Sequence, residues 1–129
     1  MKSITKMETI ILLCGIYSVA LAIFHILFWK IFNWKNDLKK LSFANRAIIQ
    51  ILNTRIIYFF LFVAFICFVY PTELLTTGLG QTFLAGIALF WLGRTIEQFI
   101  FLKPNHGLVH ILTIVFVIGT ILFALPIML

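Results

Sequence analysis

The chain has 129 residues, of which 63% are hydrophobic and 11% are charged, and its formal net charge is +6. Soluble domains carry about 25% charged residues, so this composition, with a mean hydropathy of +1.14, excludes a soluble protein and predicts an integral membrane protein. The sequence has no arginine–aromatic module for RNA or DNA, so we expect no nucleic-acid partner. Anionic lipid headgroups beside basic connections would account for the positive charge.

Four apolar stretches are each long enough to cross a bilayer as a helix, which takes roughly 20 residues. They cover about residues 9–29, 47–70, 82–102 and 108–129. They lack the alternation of apolar and polar residues that a membrane β-barrel requires. The sequence therefore predicts an all-α integral membrane four-helix bundle, a single transmembrane domain over residues 1–129. The first stretch is too long for the apolar part of a secretory signal, so we interpret it as an uncleaved helix.

Turn-forming residues mark the connections between these helices. Pro71 predicts the end of the second helix, because proline cannot continue the helical hydrogen-bond ladder. Gly78 and Gly80 are expected to loosen the turn before the third helix. The segment KPNHG, residues 103–107, is typical of a tight turn in which Asn105 caps the fourth helix.

Basic residues are concentrated in the first connection. Those residues are Lys30, Lys35, Lys39, Lys40 and Arg46. The third connection adds Lys103, whereas Lys2 and Lys6 precede the first helix. By the positive-inside rule we expect the loops 30–46 and 103–107 to face the cytoplasm and both termini to lie outside, with the protein in the inner (cytoplasmic) membrane. The two lysines before the first helix oppose this orientation, because the first helix often dominates insertion.

Polar side chains inside the predicted helices fall in one half of the membrane. In an up-and-down bundle, the ends of the first and third helices lie at the same level as the starts of the second and fourth. The candidate ligand-binding cluster at this level consists of His25, Asn53, Arg94, Glu97, Gln98 and His110. Placing ionisable groups inside a membrane costs free energy, so we interpret such a cluster as a candidate functional site.

Helical periodicity predicts which side chains of each helix point inward. These are Cys14, Ser18, His25 and Trp29 on the first helix, Arg46, Gln50, Asn53 and Ile57 on the second, Trp91, Arg94, Glu97, Gln98 and Phe101 on the third, and His106, His110, Thr113, Val117, Thr120 and Ala124 on the fourth. We expect Arg94 to pair with Glu97, three residues later on the same helix. Arg55 points about half a turn away from its helix's polar face, towards headgroups, a flank or a second subunit.

Three classes of function fit this pattern. In the first, the polar cluster binds a small anion or lipid headgroup, or alternatively holds the helices together as a structural network. The first class would place the cluster within a homo-oligomer, because four short helices enclose little volume alone. In the second, the protein is an accessory or structural subunit of a membrane complex that docks a partner protein through its basic loop and a smooth strip formed by Gly86 and Gly93. In the third, it is a membrane enzyme with His25 or His110 as general acid or base tuned by Glu97. No residue type or spacing identifies a catalytic group.

Metal binding is a weaker hypothesis. His106 and His110 are four residues apart on a predicted helix, and His25 or Glu97 could complete a zinc site. The HxxxH spacing lacks the glutamate of the HExxH motif and occurs often by chance. Haem ligation by His25 and His110 from facing helices is a further alternative in a bundle. We expect no bound cofactor.

Two stretches resemble a family of small bacterial four-helix membrane proteins that carry no assigned activity. They are residues 25–53 and 89–101. The likeness lies in the aromatic run after His25, in LSFANR before the second helix, and in the triplet of Arg94, Glu97 and Gln98. It implies the fold and a bacterial origin, and it brings no substrate, cofactor or catalytic residue.

Overall fold

The computed structural model describes residues 2–102 and 107–128, without the side chains of residues 2–5, and these residues are almost entirely helical. The described helices are α1 (Lys2–Ile26), α2 (Phe28–Ile31), α3 (Trp34–Asp37), α4 (Phe43–Val69), α5 (Pro71–Thr76), α6 (Gly78–Phe101) and α7 (Gly107–Met128), with a 3-10 turn at Leu38–Lys40. Four of them, α1, α4, α6 and α7, are long and apolar enough to cross a membrane. The predicted all-α fold with four membrane-spanning helices is confirmed.

All four spanning helices begin earlier than the hydrophobic pattern indicated, and two of them, α4 and α6, have a side-chain cap at the N-terminus that explains the earlier start. The Ser42 hydroxyl accepts a hydrogen bond from the Asn45 N–H at 3.3 Å, and α4 therefore begins at Phe43. The Thr77 hydroxyl accepts from the Gly80 N–H at 2.9 Å, and α6 begins at Gly78. A capping hydroxyl satisfies an N–H group that has no partner within the helix. The expectation that Gly78 and Gly80 loosen this turn is wrong, since both lie inside α6.

Gly80 is required by a close approach between α5 and α6. A Cβ atom at this position would lie against the Glu73 carbonyl oxygen and the Leu74 Cα, both of which are backbone atoms. The predicted end of the second helix at Pro71 is confirmed, because α4 stops at Val69 and Pro71 starts α5. The connection between α4 and α6 is therefore a short helix packed closely on the start of the next one.

The described residues form two compact units, one comprising residues up to Cys14 and from Cys67 onwards, and the other Gly15–Ile66. In the first unit α6 packs against α7 and α5. The Trp91 ring stacks on the Phe116 ring with a centroid separation of 5.5 Å. The buried residues of α6 are Gly80, Leu84, Ile87, Ala88, Trp91, Thr95 and Gln98. Apart from the adjacent pair Ile87 and Ala88, they are spaced by three or four residues, which is the spacing of one helix face.

The second unit contains the connection between the first two spanning helices, which is a chain of short helical turns. The first spanning helix ends at Ile26, three residues before the predicted end at Trp29, whose side chain is exposed. Asn33 adopts the left-handed conformation (φ 53°, ψ 45°) between α2 and α3, a conformation that asparagine tolerates better than most residues. Leu38 is buried, whereas the lysines of this connection are exposed. Leu38 is thus the residue through which this connection is anchored in the protein core.

Candidate functional site

Gln98 joins α6 to α7 in the first unit. Its side chain is 1% exposed, so both of its polar atoms need partners. The Nε2 group donates to the Val109 carbonyl oxygen of α7 at 3.1 Å, and Oε1 accepts from Nη1 of Arg94, also at 3.1 Å. The amide is thereby satisfied on both sides, and its orientation is set by a backbone carbonyl.

The Arg94 guanidinium is held in place by Gln98 and by an aromatic ring. Arg94 lies about 10 Å before the Phe101 end of α6, at 1.5 Å per residue, and its side chain is half-buried. The guanidinium carbon is 4.6 Å from the centroid of the Phe116 ring of α7, which is a cation–π geometry. Within residues 2–102 and 107–128, no carboxylate forms an ion pair with Arg94. The guanidinium group is thus held in position by two neutral groups, the Gln98 amide and the Phe116 ring.

Glu97 does not form the hydrogen-bonded pair with Arg94 that the sequence suggested, and that prediction is wrong for the described part of the chain. Residues three and four positions apart are both neighbours on a helix, so Arg94 has a choice between Glu97 and Gln98. Gln98 lies on the buried face that meets α7, whereas Glu97 is exposed. The guanidinium follows the buried face and bonds to Gln98.

In the second unit, His25 and Asn53 are joined through the backbone. The Asn53 Nδ2 group donates to the His25 carbonyl oxygen at 3.0 Å, close to the end of α1, where carbonyl groups lack partners within the helix. The His25 Nδ1 atom lies 2.9 Å from the Leu21 carbonyl oxygen, which can only accept, so Nδ1 carries the proton. The His25 ring also stacks on Phe28 with centroids 4.4 Å apart. These contacts give His25 a packing role.

The Asn53 side chain has one polar atom without a partner. Its Oδ1 atom is buried and accepts no hydrogen bond from any residue that the structure describes. Exchanging the amide oxygen and nitrogen would not resolve this, because the atom facing the His25 carbonyl must be a donor. A hydroxyl, an ammonium or a water molecule could supply the missing donor.

The six residues of the predicted cluster thus divide into smaller groups. Arg94 is hydrogen-bonded to Gln98, and Asn53 to the backbone of His25. Glu97 and His110 are exposed side chains of α6 and α7. A single site formed by all six residues, and acid–base catalysis at His25 or His110, stay predictions.

The inward face expected for the fourth helix is wrong. The buried residues of α7 are Phe116, Gly119, Phe123 and Pro126. Val117 is 40% exposed. The hydroxyls of Thr113 and Thr120 donate to the carbonyls four residues earlier in the same helix, so these polar residues need no partner inside. Phe116, which covers Arg94, was missed because α7 is apolar all round and shows no periodic signal.

A metal centre receives no further support from the described residues. Among them, no group of three or more His, Cys, Asp or Glu side chains could hold a metal ion. His106, the partner of His110 in the HxxxH hypothesis, lies outside the described residues, as do Lys103 and the proposed cap Asn105.

Fold and site together define a four-pass α-helical membrane protein in which Arg94 of α6 is held by Gln98 of the same helix and by the Phe116 ring of α7. No family model matches the chain, and comparisons with curated proteins and with solved structures find no match.

Proposed function

We propose that this membrane protein binds an anionic group, a phosphate or a carboxylate of the kind carried by lipid headgroups and small anions, at Arg94. The observation that carries the proposal is a guanidinium inside a spanning helix whose direct contacts in the described chain, Gln98 and Phe116, are both neutral, while Glu97 acts on it only as a nearby charge and forms no ion pair with it. A charge at this depth is costly unless an opposite charge or a strong acceptor compensates it. A bound anion would supply that compensation.

The geometry of Arg94 suits an anion better than a purely structural role. A guanidinium has five N–H donors, and the described chain occupies one of them. Its planar fork can bind two oxygens of a phosphate or carboxylate at once. Gln98 and Phe116 fix the plane of the fork before a ligand arrives, which lowers the entropic cost of binding.

The competing interpretation is that Arg94 only helps to hold α6 against α7. The hydrogen bond that links the two helices runs from Gln98 to Val109 and does not pass through Arg94. A neutral glutamine network of this kind is sufficient to join membrane helices. The cation–π contact of Arg94 with Phe116 also joins the two helices, but it and the bond to Gln98 occupy one of the five guanidinium N–H donors in the described chain, which favours a ligand-binding role for the others.

The exposed lysines of the connection 30–46 also favour an anionic ligand. The side chains of Lys35, Lys39 and Lys40 are exposed, and the ion pair of Lys40 with Asp37 is long, at 3.9 Å, and itself exposed. Each lysine near an anionic leaflet contributes about 1 kcal/mol of attraction. We therefore place loops 30–46 and 103–107 on the cytoplasmic side of the inner membrane, against anionic headgroups.

The test is retention of an anionic lipid by the purified protein in nanodiscs, measured by native mass spectrometry. Wild type, Arg94→Gln and Arg94→Lys are compared in discs that contain phosphatidylglycerol and in zwitterionic discs with added inorganic phosphate or acetate. Arg55→Gln, which removes a different arginine from a spanning helix, is the matched control. The two kinds of disc distinguish a lipid headgroup from a free anion.

We expect the bound mass to be lost in Arg94→Gln, weakened in Arg94→Lys because lysine lacks the planar fork, and kept in Arg55→Gln. Helical content measured by circular dichroism must remain unchanged in all variants. Equal retention by wild type and Arg94→Gln, or equal loss in Arg55→Gln, would show that Arg94 is not the binding group.

A further inference from the structure

Arg55 is an exposed charge in the middle of a spanning helix. It lies twelve residues after Phe43, the first residue of α4, which is about 18 Å along the helix at 1.5 Å per residue. Its side chain is exposed. The hydrocarbon core is about 30 Å thick, so Arg55 sits close to its centre on a surface that nothing in the described chain covers.

The described neighbours of Arg55 do not neutralise its charge. The guanidinium carbon is 5.8 Å from the ring centroid of Tyr58, which is itself exposed. Gln50 and Thr54, which with Arg55 and Ile51 line an open groove of about 270 Å³, use their side chains to bond carbonyls of their own helix. In the described ranges Arg55 has no ion pair or hydrogen bond. An aromatic ring attracts a cation but carries no net charge, so an anion is still required.

The chain itself offers one carboxylate at a suitable depth. It contains four carboxylate side chains: Glu8, Asp37, Glu73 and Glu97. Asp37 lies in the first connection and Glu73 in α5. Glu8 lies in the first turn of the first membrane span, on the side of the membrane opposite to the start of α4, and accepts a hydrogen bond from Thr72. Glu97 lies inside α6, four residues before its end, and is exposed.

The topology of the spanning helices and the directions in which the two side chains tilt also favour an ion pair between Arg55 and Glu97. Because each helix crosses the membrane once, α4 begins on the side of the membrane where α6 ends. Side chains tilt towards the N-terminus of their own helix. Along their helices Arg55 is about 18 Å and Glu97 about 6 Å from that side. The Arg55 guanidinium is displaced towards that side and the Glu97 carboxylate away from it, so the two side chains narrow this difference in depth of about 12 Å.

Glu97 shares its helix face with two glycines that leave room for another helix. Gly86, Gly93 and Glu97 lie on one face at 100° per residue. A Cβ atom at either glycine would meet nothing within 4 Å. Small residues at such positions let the backbones of membrane helices approach closely.

We propose that copies of this chain associate through these two faces, with Arg55 of one copy paired to Glu97 of another. The α4 face around Arg55 packs on the α6 face of Gly86, Gly93 and Glu97. Each copy carries both halves of the contact, so either a symmetric dimer or a closed ring satisfies every charge. Charge complementarity selects a second copy as the occupant, because Glu97 is an exposed carboxylate inside a spanning helix and has no ion pair in the described chain.

The experiment is a charge swap read out as subunit number in nanodiscs, by native mass spectrometry or stepwise photobleaching. Arg55→Glu alone and Glu97→Arg alone each place like charges in the contact. We expect each to raise the dissociation constant about tenfold or more. Coexpression of the two variants restores opposite charges at every contact of a dimer or of a ring with an even number of copies, and mixed oligomers of even subunit number should form while neither variant assembles alone. Arg46→Glu, which changes an arginine at the start of α4, is the control and should assemble like wild type.

Arg55→Gln and Glu97→Gln provide a second series in which no repulsive charge is introduced, so weakened assembly there supports the pair even if the swapped variants insert poorly. A monomeric wild type would overturn the proposal. So would single swaps that assemble normally, coexpressed variants that stay apart, or a wild type recovered only with bound anionic lipid at Arg55 or with a different protein.

Discussion

The substitution Gly80→Ala tests the close approach between α5 and α6. A Cβ atom there would be 2.7 Å from the Leu74 carbonyl oxygen, whereas ordinary contact begins at 3.4 Å. That oxygen would have to withdraw by about 0.7 Å, and the Glu73 carbonyl oxygen and Leu74 Cα are closer still. Backbone atoms cannot rotate away as a side-chain end can, so α5 would have to move as a whole.

The expected effect is a net loss of stability. Overpacking costs typically about 1–3 kcal/mol, and contact with backbone places this case in the upper half of that range. Replacing glycine by alanine inside a helix returns up to about 1 kcal/mol. We therefore expect Gly80→Ala to lower the free energy of unfolding by about 1–2 kcal/mol. The shift would also strain the hydrogen bond from the Gly80 N–H to Thr77, which caps α6.

The assay is reversible unfolding in mixed micelles titrated with a denaturing detergent, followed by far-UV circular dichroism. Gly78→Ala is the matched control, because a Cβ atom two residues earlier in the same turn meets nothing within 4 Å. It should leave stability within about 0.5 kcal/mol of wild type. A Gly80→Ala protein as stable as the Gly78→Ala protein would refute the close approach.

Three further substitutions probe other contacts. Gln98→Leu leaves an α7 carbonyl and a guanidinium without their amide partner, so the same titration should show a loss of about 1–3 kcal/mol; an unchanged midpoint would contradict the buried network. Asn53→Ala removes the donor to the His25 carbonyl and should cost about 0.6 kcal/mol, the average for hydrogen bonds between membrane helices, and at most about 1.7 kcal/mol; wild-type stability would argue against that bond. Replacing Lys39 and Lys40 by glutamine weakens the positive-inside signal. Labelling of single introduced cysteines from either side should then detect molecules of reversed orientation, and a uniform wild-type orientation would count against our topology.

The sequence by itself determined the class of protein and the number of spanning helices. Those features depend on the length of apolar stretches, because the thickness of the hydrocarbon core sets the number of apolar residues that a crossing helix needs. Local chemistry also set boundaries that the hydrophobic pattern overlooked. Ser42 and Thr77 cap α4 and α6 through hydrogen bonds within one turn, and such bonds need no information from distant parts of the chain.

Tertiary structure decided which polar groups meet. Arg94 can reach either Glu97 or Gln98 along its own helix, and the position of α7 directs it to Gln98 and Phe116. The inward face of α7 was equally hidden, since a helix that is apolar all round carries no periodic signal and its threonines bond to their own backbone. The role of Gly80 likewise depends on where α5 packs. The hydrogen-bond partner of Arg94 and the close approach of α5 to α6 each depend on the positions of two helices. The sequence pattern of one helix therefore could not predict them.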